Sequence, residues 1–144
     1  MSDERKAPIR VLQITDPHLF ANAGGELRGT VTADSLNAVI DHVLAEGWQA
    51  DFVASTGDLI QDDSAGAYDR FKSIMQRLDL PIHCVPGNHD VRSLMQSALI
   101  GDPWHYCEAF EIGDWFVIGI DSCNEGDAGG IVSDSELTRL STAL

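Results

Sequence analysis

Basic residues are scarce in this sequence: 9 Lys and Arg stand against 23 Asp and Glu, a formal charge of −14. A surface that neutralises many backbone phosphates needs the opposite balance, which argues against a nucleic acid polymer as partner. Cysteine is scarce too. Cys84, Cys107 and Cys123 are odd in number and form no Cys-x-x-Cys pair, so a disulfide framework is not expected. No apolar run is long enough to span a bilayer, and residues 1–10 lack the continuous apolar stretch of a signal peptide. These absences point to a reducing, cytoplasmic location away from membranes. What is present is apolar sequence, 44% of 144 residues, enough to bury the core of one domain.

The chain alternates short apolar runs with helical periodicity. Residues 9–15 are rich in β-branched and apolar side chains and stop at Asp16-Pro17, which predicts a buried strand ending in a loop. Leu36, Val39, Ile40, Val43 and Leu44 recur at helical spacing, with Asp34 as the expected cap and Gly47 after the last periodic residue. Residues 52–56 predict a second strand, cut off at Gly57-Asp58, and Tyr68, Phe71, Ile74, Met75 and Leu78 a second helix. A third strand over residues 82–85 ends in Pro86-Gly87-Asn88-His89-Asp90, with a shorter helix expected over residues 94–99. Residues 109–112 and 115–120 flank Gly113-Asp114 and predict an antiparallel hairpin. Ser133 with Glu136 forms a capping-box pattern ahead of a last helix, and the glycine-rich residues 126–130 read as a surface loop.

In α/β architectures ligands gather beyond the carboxyl ends of adjacent strands, and Asp16, His18, Asp58, Asn88, His89 and Asp90 all fall there. Carboxylate oxygen, amide oxygen and imidazole nitrogen are the donors that a hard or borderline divalent cation takes. Each piece alone has a bland explanation, since Gly-Asp after a strand is often a turn and Asn88 can simply hold a loop. Three strand ends that each deliver a ligand pair are another matter, because a purely structural account needs three coincidences at corresponding positions.

Together, Asp16-Pro17-His18, Gly57-Asp58 and Gly87-Asn88-His89-Asp90 resemble the first three motifs of the calcineurin-like metallophosphoesterases. The flanking residues, such as Gln13-Ile14-Thr15 before Asp16, are most similar to those of the class III 3′,5′-cyclic nucleotide phosphodiesterases. The resemblance implies an α/β fold, the N-terminal half of a four-layer β-sandwich flanked by helices. It implies that Asp16 and His18 bind one metal, that Asp58 bridges two, and that Asn88 binds the second. It further implies that His89 serves the substrate's ester oxygen, that Asp90 orients the His89 ring, and that metal-bound hydroxide attacks a small phosphodiester. Manganese, iron and zinc all suit such a donor set.

The family pattern continues with three more histidines, two of them in Gly-His-x-His, and none of those motifs occurs here. His42, His83 and His105 are not placed to substitute. Residues 1–144 are therefore expected to be a single, incomplete metallophosphoesterase domain, truncated from a longer enzyme. Such a chain is expected to retain one metal or none and to associate with itself to cover exposed surface. The alternative to a phosphodiesterase is an inactive fragment or pseudoenzyme that serves as a metal-binding or assembly module. Other residues receive plainer roles: Asp62-Asp63 as a solvated pair, the three cysteines as core, Trp48 and Trp115 as packing residues, and Trp104 in a loop.

Overall fold

Each of the three apolar runs forms a strand whose polar end lies beside the next. The computed structural model describes residues 7–144; of the N-terminal stretch read above for its lack of a signal-peptide run, residues 1–6 lie outside it. The elements follow in the order β1 (Val11–Ile14), β2 (Glu26–Leu27), β3 (Thr30–Val31), α1 (Thr32–Glu46), β4 (Phe52–Thr56) and α2 (Ala65–Met75). After a 3₁₀ turn at Gln76–Leu78 come β5 (Ile82–Val85), α3 (Arg92–Ala98), β6 (Trp104–Tyr106), β7 (Ala109–Ile112), β8 (Trp115–Ile118) and α4 (Asp134–Ala143).

Strands β1, β4, β5 and β6 make one sheet in that order, every neighbouring pair parallel. Parallel neighbours need a crossover, and α1, α2 and α3 supply the three of them. Register then aligns the strand ends: Ile14 lies opposite Ser55, and Thr56 opposite Val85. The loops that follow β1, β4 and β5 consequently leave the sheet at a common edge.

Side-chain alternation divides the sheet's two faces. Ile82 and Cys84 of β5 enter the core with Leu36, Ile40, Tyr68, Phe71 and Met95 of the helices. A fully buried side chain of the size of Phe71 stabilises the fold by roughly 1.5–3 kcal/mol, so this seam holds the crossovers in place. His83, between those two residues, takes the other face, where Phe110 of β7 stacks on it with ring centroids 3.7 Å apart. The β7–β8 hairpin, with Gly113 in the left-handed region at its turn, thus covers the face opposite the helices. The result is a mixed α/β fold with a parallel sheet and four α-helices among the described residues, as the N-terminal part of the expected fold requires. No described helix is long and apolar enough to cross a membrane.

Several local expectations need correction. Helix α1 begins at Thr32, with Val31 at the cap position and no side-chain cap, so Asp34 lies in the first turn and does not cap it. Gly47 does close the helix, at φ 63°, its N–H reaching the carbonyls of Leu44 and Val43. Trp104 is buried in β6 and not in a loop; a strand of three residues leaves too short a pattern to be recognised. Trp48 and Trp115 are exposed, and Cys107 is half-buried while Cys84 and Cys123 are buried. Ser133 accepts the Glu136 N–H at 3.2 Å, but the Glu136 carboxylate turns to Arg139 and to the Asp121 N–H, so only half of the capping box forms.

Candidate metal centre

The sheet's hydrogen-bond ladder continues past its strands. Asp16 N–H donates to Gly57 O at 3.0 Å, His18 N–H to Asp58 O at 3.0 Å, and Leu19 N–H to Leu59 O at 2.9 Å. The loops after β1 and β4 are thereby joined residue by residue. Asp16, His18 and Asp58 all have left-handed backbone, φ 55°, 44° and 52°, a conformation that costs a non-glycine residue energy and persists where neighbours impose it. Here the ladder of backbone bonds holds it.

The third loop is packed onto the second. Gly57, at φ 96°, lies so close to it that a Cβ there would come within 2.7 Å of Gly87 N. Asp58 Oδ1 accepts the His89 backbone N–H at 3.0 Å, which leaves Oδ2 to face His18. Asp90 is buried and accepts from Leu59 N–H at 3.1 Å, Gly87 N–H at 2.9 Å and Tyr68 Oη–H at 3.0 Å. Its carboxylate ties the second loop to the third and to α2; the bond to the His89 ring that the resemblance implies is not formed among these contacts. Burial pushes the Asp90 carboxyl above its ordinary range, the three hydrogen bonds pull it back, and the charge of Asp58 adds to the rise. Burial, and then Asp90 itself, push the Tyr68 phenol well above its usual range.

Donor atoms of His18, Asp58 and His89 come within 4.8 Å of one another. His18 Nε2 stands 3.6 Å from Asp16 Oδ1 and 3.9 Å from Asp58 Oδ2, too far for hydrogen bonds. Two ligands each about 2.1 Å from a shared cation are separated by roughly 3–4 Å, so these gaps suit a metal better than a proton. The His18 and His89 rings meet edge to face, centroids 5.0 Å apart. His18 Nδ1 is buried without a hydrogen-bond partner. Two imidazoles and a carboxylate form a donor set fit for zinc, manganese or iron.

The six residues singled out from the sequence distribute as follows. His18, Asp58 and His89 converge, and Asp16, its side chain 57% exposed, flanks His18 on the solvent side. Asn88 shares with His89 a cleft of about 420 Å³, lined also by Gln61, Asp63 and Glu125. Asp90 lies beneath the loop as a structural tie. Sequence reasoning missed Tyr68, whose place in a helical apolar stripe marks it only as core. It also gave Asp62 too little: Asp62 accepts from Ala21 N–H at 2.8 Å and Ser64 Oγ–H at 2.6 Å and so fixes the turn after the first loop.

Asp-x-His, Gly-Asp and Gly-Asn-His-Asp thus stand at three adjacent strand ends, with His18, Asp58 and His89 around one cation-sized gap. The chain belongs to the calcineurin-like phosphoesterase family, whose pattern it matches over residues 9–139. It is 36% identical over 138 residues to the 3′,5′-cyclic adenosine monophosphate phosphodiesterase CpdA of Pseudomonas aeruginosa, covering 96% of this chain and 50% of that protein. To the CpdA of Vibrio vulnificus it is 38% identical, over 92% of this chain and 48% of the relative. The 3′,5′-cyclic-nucleotide phosphodiesterase alr5338 of Nostoc is 30% identical, over 96% and 52% respectively. The chain spans about half the length of these curated relatives.

Proposed function

We propose that this chain carries the first half of a metal-dependent phosphodiesterase site whose substrate is a small phosphodiester, a 3′,5′-cyclic nucleotide. The observation that carries this reading is the convergence of His18, Asp58 and His89 at the ends of three parallel strands, with Asp16 and Asn88 alongside. The substrate class is supported by the names of the relatives, three of which are cyclic nucleotide phosphodiesterases. The acidic surface suits a small substrate over a polynucleotide, and the free thiols accord with a cytoplasmic protein.

In this reading His18 and Asp16 would hold one divalent cation, Asp58 would serve both this cation and a second, and Asn88 would serve the second. When bound, such cations supply Lewis-acid charge to the phosphoryl oxygens and acidify water. The chain's own residues do the rest. Asp58 keeps one oxygen on the His89 N–H, which fixes the angle at which the other enters the site. His89, its backbone anchored there and its imidazole left free of the cation in this reading, would hand a proton to the leaving ester oxygen as water adds to phosphorus and the P–O bond breaks. Asn88 and a shared Asp58 alone would hold a second cation weakly, whereas Asp16, His18 and Asp58 would hold the first more firmly.

The test is cleavage of bis(p-nitrophenyl) phosphate by this chain with manganese, beside an Asn88→Ala variant. Turnover that needs manganese and falls in the variant upholds the phosphodiesterase reading. A second reading, a metal-binding module without turnover, is favoured by the fact that one donor triad is brought together among the described residues. Manganese binding with no cleavage in either protein would establish that reading in place of the first.

A further inference from the structure

The segment between β8 and α4 reaches back to the loop that carries Asn88, and the Arg92 side chain makes three of the hydrogen bonds that tie it there. Arg92, the first residue of α3, donates from Nε to Asp121 Oδ2 at 2.7 Å and from Nη2 to Asp121 Oδ1 at 3.1 Å. The same Nη2 donates to Cys123 O at 2.9 Å, and the Arg92 backbone N–H to Glu125 Oε1 at 2.7 Å. A guanidinium spread over two carboxylate oxygens and a carbonyl is the strong, directional form of the interaction. Tyr106 Oη–H and Cys123 N–H complete Asp121, at 2.9 and 3.0 Å. Burial raises the Asp121 carboxyl, but the bonds from Arg92, Cys123 and Tyr106 outweigh it and hold the group below its ordinary range.

The segment so fixed grips the Asn88 loop on both sides. Cys123 Sγ–H donates to Gly87 O at 3.1 Å, and Gly126 N–H donates to Asn88 O at 3.3 Å. The peptide groups before and after Asn88 are therefore both held by a segment to which Arg92 bonds at Asp121, Cys123 and Glu125. Asp16 and His18 are instead tied to β4 through the ladder.

We infer that Arg92, acting with Asp121, is a positioning residue that sets the Asn88 side of the site and leaves the His18 side untouched. The inference rests on the reading of Asn88 as a metal ligand only for its effect on the metal; its effect on the loop stands apart from that reading.

The experiment compares the parent chain with Arg92→Met, Arg92→Lys and Asp121→Asn variants. Amide hydrogen exchange on the metal-free proteins gives the first readout. Gly126 exchange should speed at least about tenfold in Arg92→Met, less in Arg92→Lys, with Asp16 exchange unchanged, as expected when one local contact opens apart from global unfolding. Manganese titration by calorimetry gives the second: the weaker binding event should lose about tenfold in affinity, the usual scale for a partner behind a ligand, with the tighter event unaltered. Unchanged Gly126 exchange overturns the inference. So does equal acceleration at Gly126 and Asp16, or equal weakening of both binding events, since either means a general loss of structure. If the parent chain shows one manganese event only, the reading of Asn88 as ligand fails, and the exchange data alone decide whether Arg92 positions the loop.

Discussion

Gly87 and Asp58 compete for the same space: a Cβ built on Gly87 falls on the Asp58 carboxylate and backbone nitrogen. The third loop can pass over the second only because residue 87 has no side chain, and this close passage lets His89 N–H reach Asp58 Oδ1. Gly87→Ala should therefore displace the central carboxylate. Overpacking of this kind costs roughly 1–3 kcal/mol, and the expected outcome is a lower melting temperature with manganese affinity reduced more than in a remote glycine variant such as Gly29→Ala. Calorimetry on both variants checks it, and equal affinities would count against the packing argument.

Tyr68→Phe should destabilise the chain although it keeps the ring and its core contacts. The hydroxyl donates to Asp90 Oδ1 and accepts the Val91 N–H at 3.1 Å, so its removal leaves a buried carboxylate and a buried amide each short of a partner. An unsatisfied buried group costs about 1–3 kcal/mol. Urea unfolding should show the midpoint falling with little change in slope.

His83 predicts an acid-sensitive term in stability. Its ring lies between those of His105 and Phe110, with Phe52 at its edge and Glu108 nearby. Burial first, and then His105, lower its pKa from the ordinary 6.5 to about 4, against a smaller opposing pull from Glu108. A depressed histidine binds fewer protons folded than unfolded, so its contribution is intact above the unfolded value and is lost as pH falls from 6.5 towards 4. The loss near pH 5 is at most about 2 kcal/mol. Urea unfolding near pH 7.5 and near pH 5 should show a larger drop in the native chain than in a His83→Phe variant, which keeps a stacking ring and cannot titrate. Equal drops would remove His83 from the account.

Among the described residues strand β1 borders β4 alone, and Val11 on it, with Trp48 and Leu44 beside it, is exposed. An open strand edge flanked by apolar side chains favours pairing with another copy. Light scattering of the isolated chain should give a mass above that of the monomer, reduced by a Val11→Lys, Trp48→Glu double variant. A monomer at working concentrations in the native chain would refute the expectation.

The parts legible in the sequence were those carried by local pattern. Apolar runs that stop at Asp16, Gly57 and Pro86 fixed three strand ends, and helical spacing fixed α1 and α2. The donor residues were legible because strand direction alone sends Asp16, Asp58 and Asn88 to one edge. What stayed hidden depends on partners far along the chain. Nothing near Asp90 says that its carboxylate will accept from Leu59 N–H and Tyr68 Oη–H. Nothing near Arg92 announces Asp121. Strand β6 escaped notice because a three-residue Trp-His-Tyr run has no period to read, and its place comes from β5, against which it pairs.

The ladder linking Asp16, His18 and Leu19 to Gly57, Asp58 and Leu59 has a consequence for the order of events. Because backbone bonds that extend the β1–β4 ladder stitch the turns bearing Asp16, His18 and Asp58, completing the sheet should also set these three residues. The polypeptide should fold with its receptor geometry ready before any ion arrives. Chelator treatment should then strip the ion and leave the far-ultraviolet circular dichroism spectrum as it was.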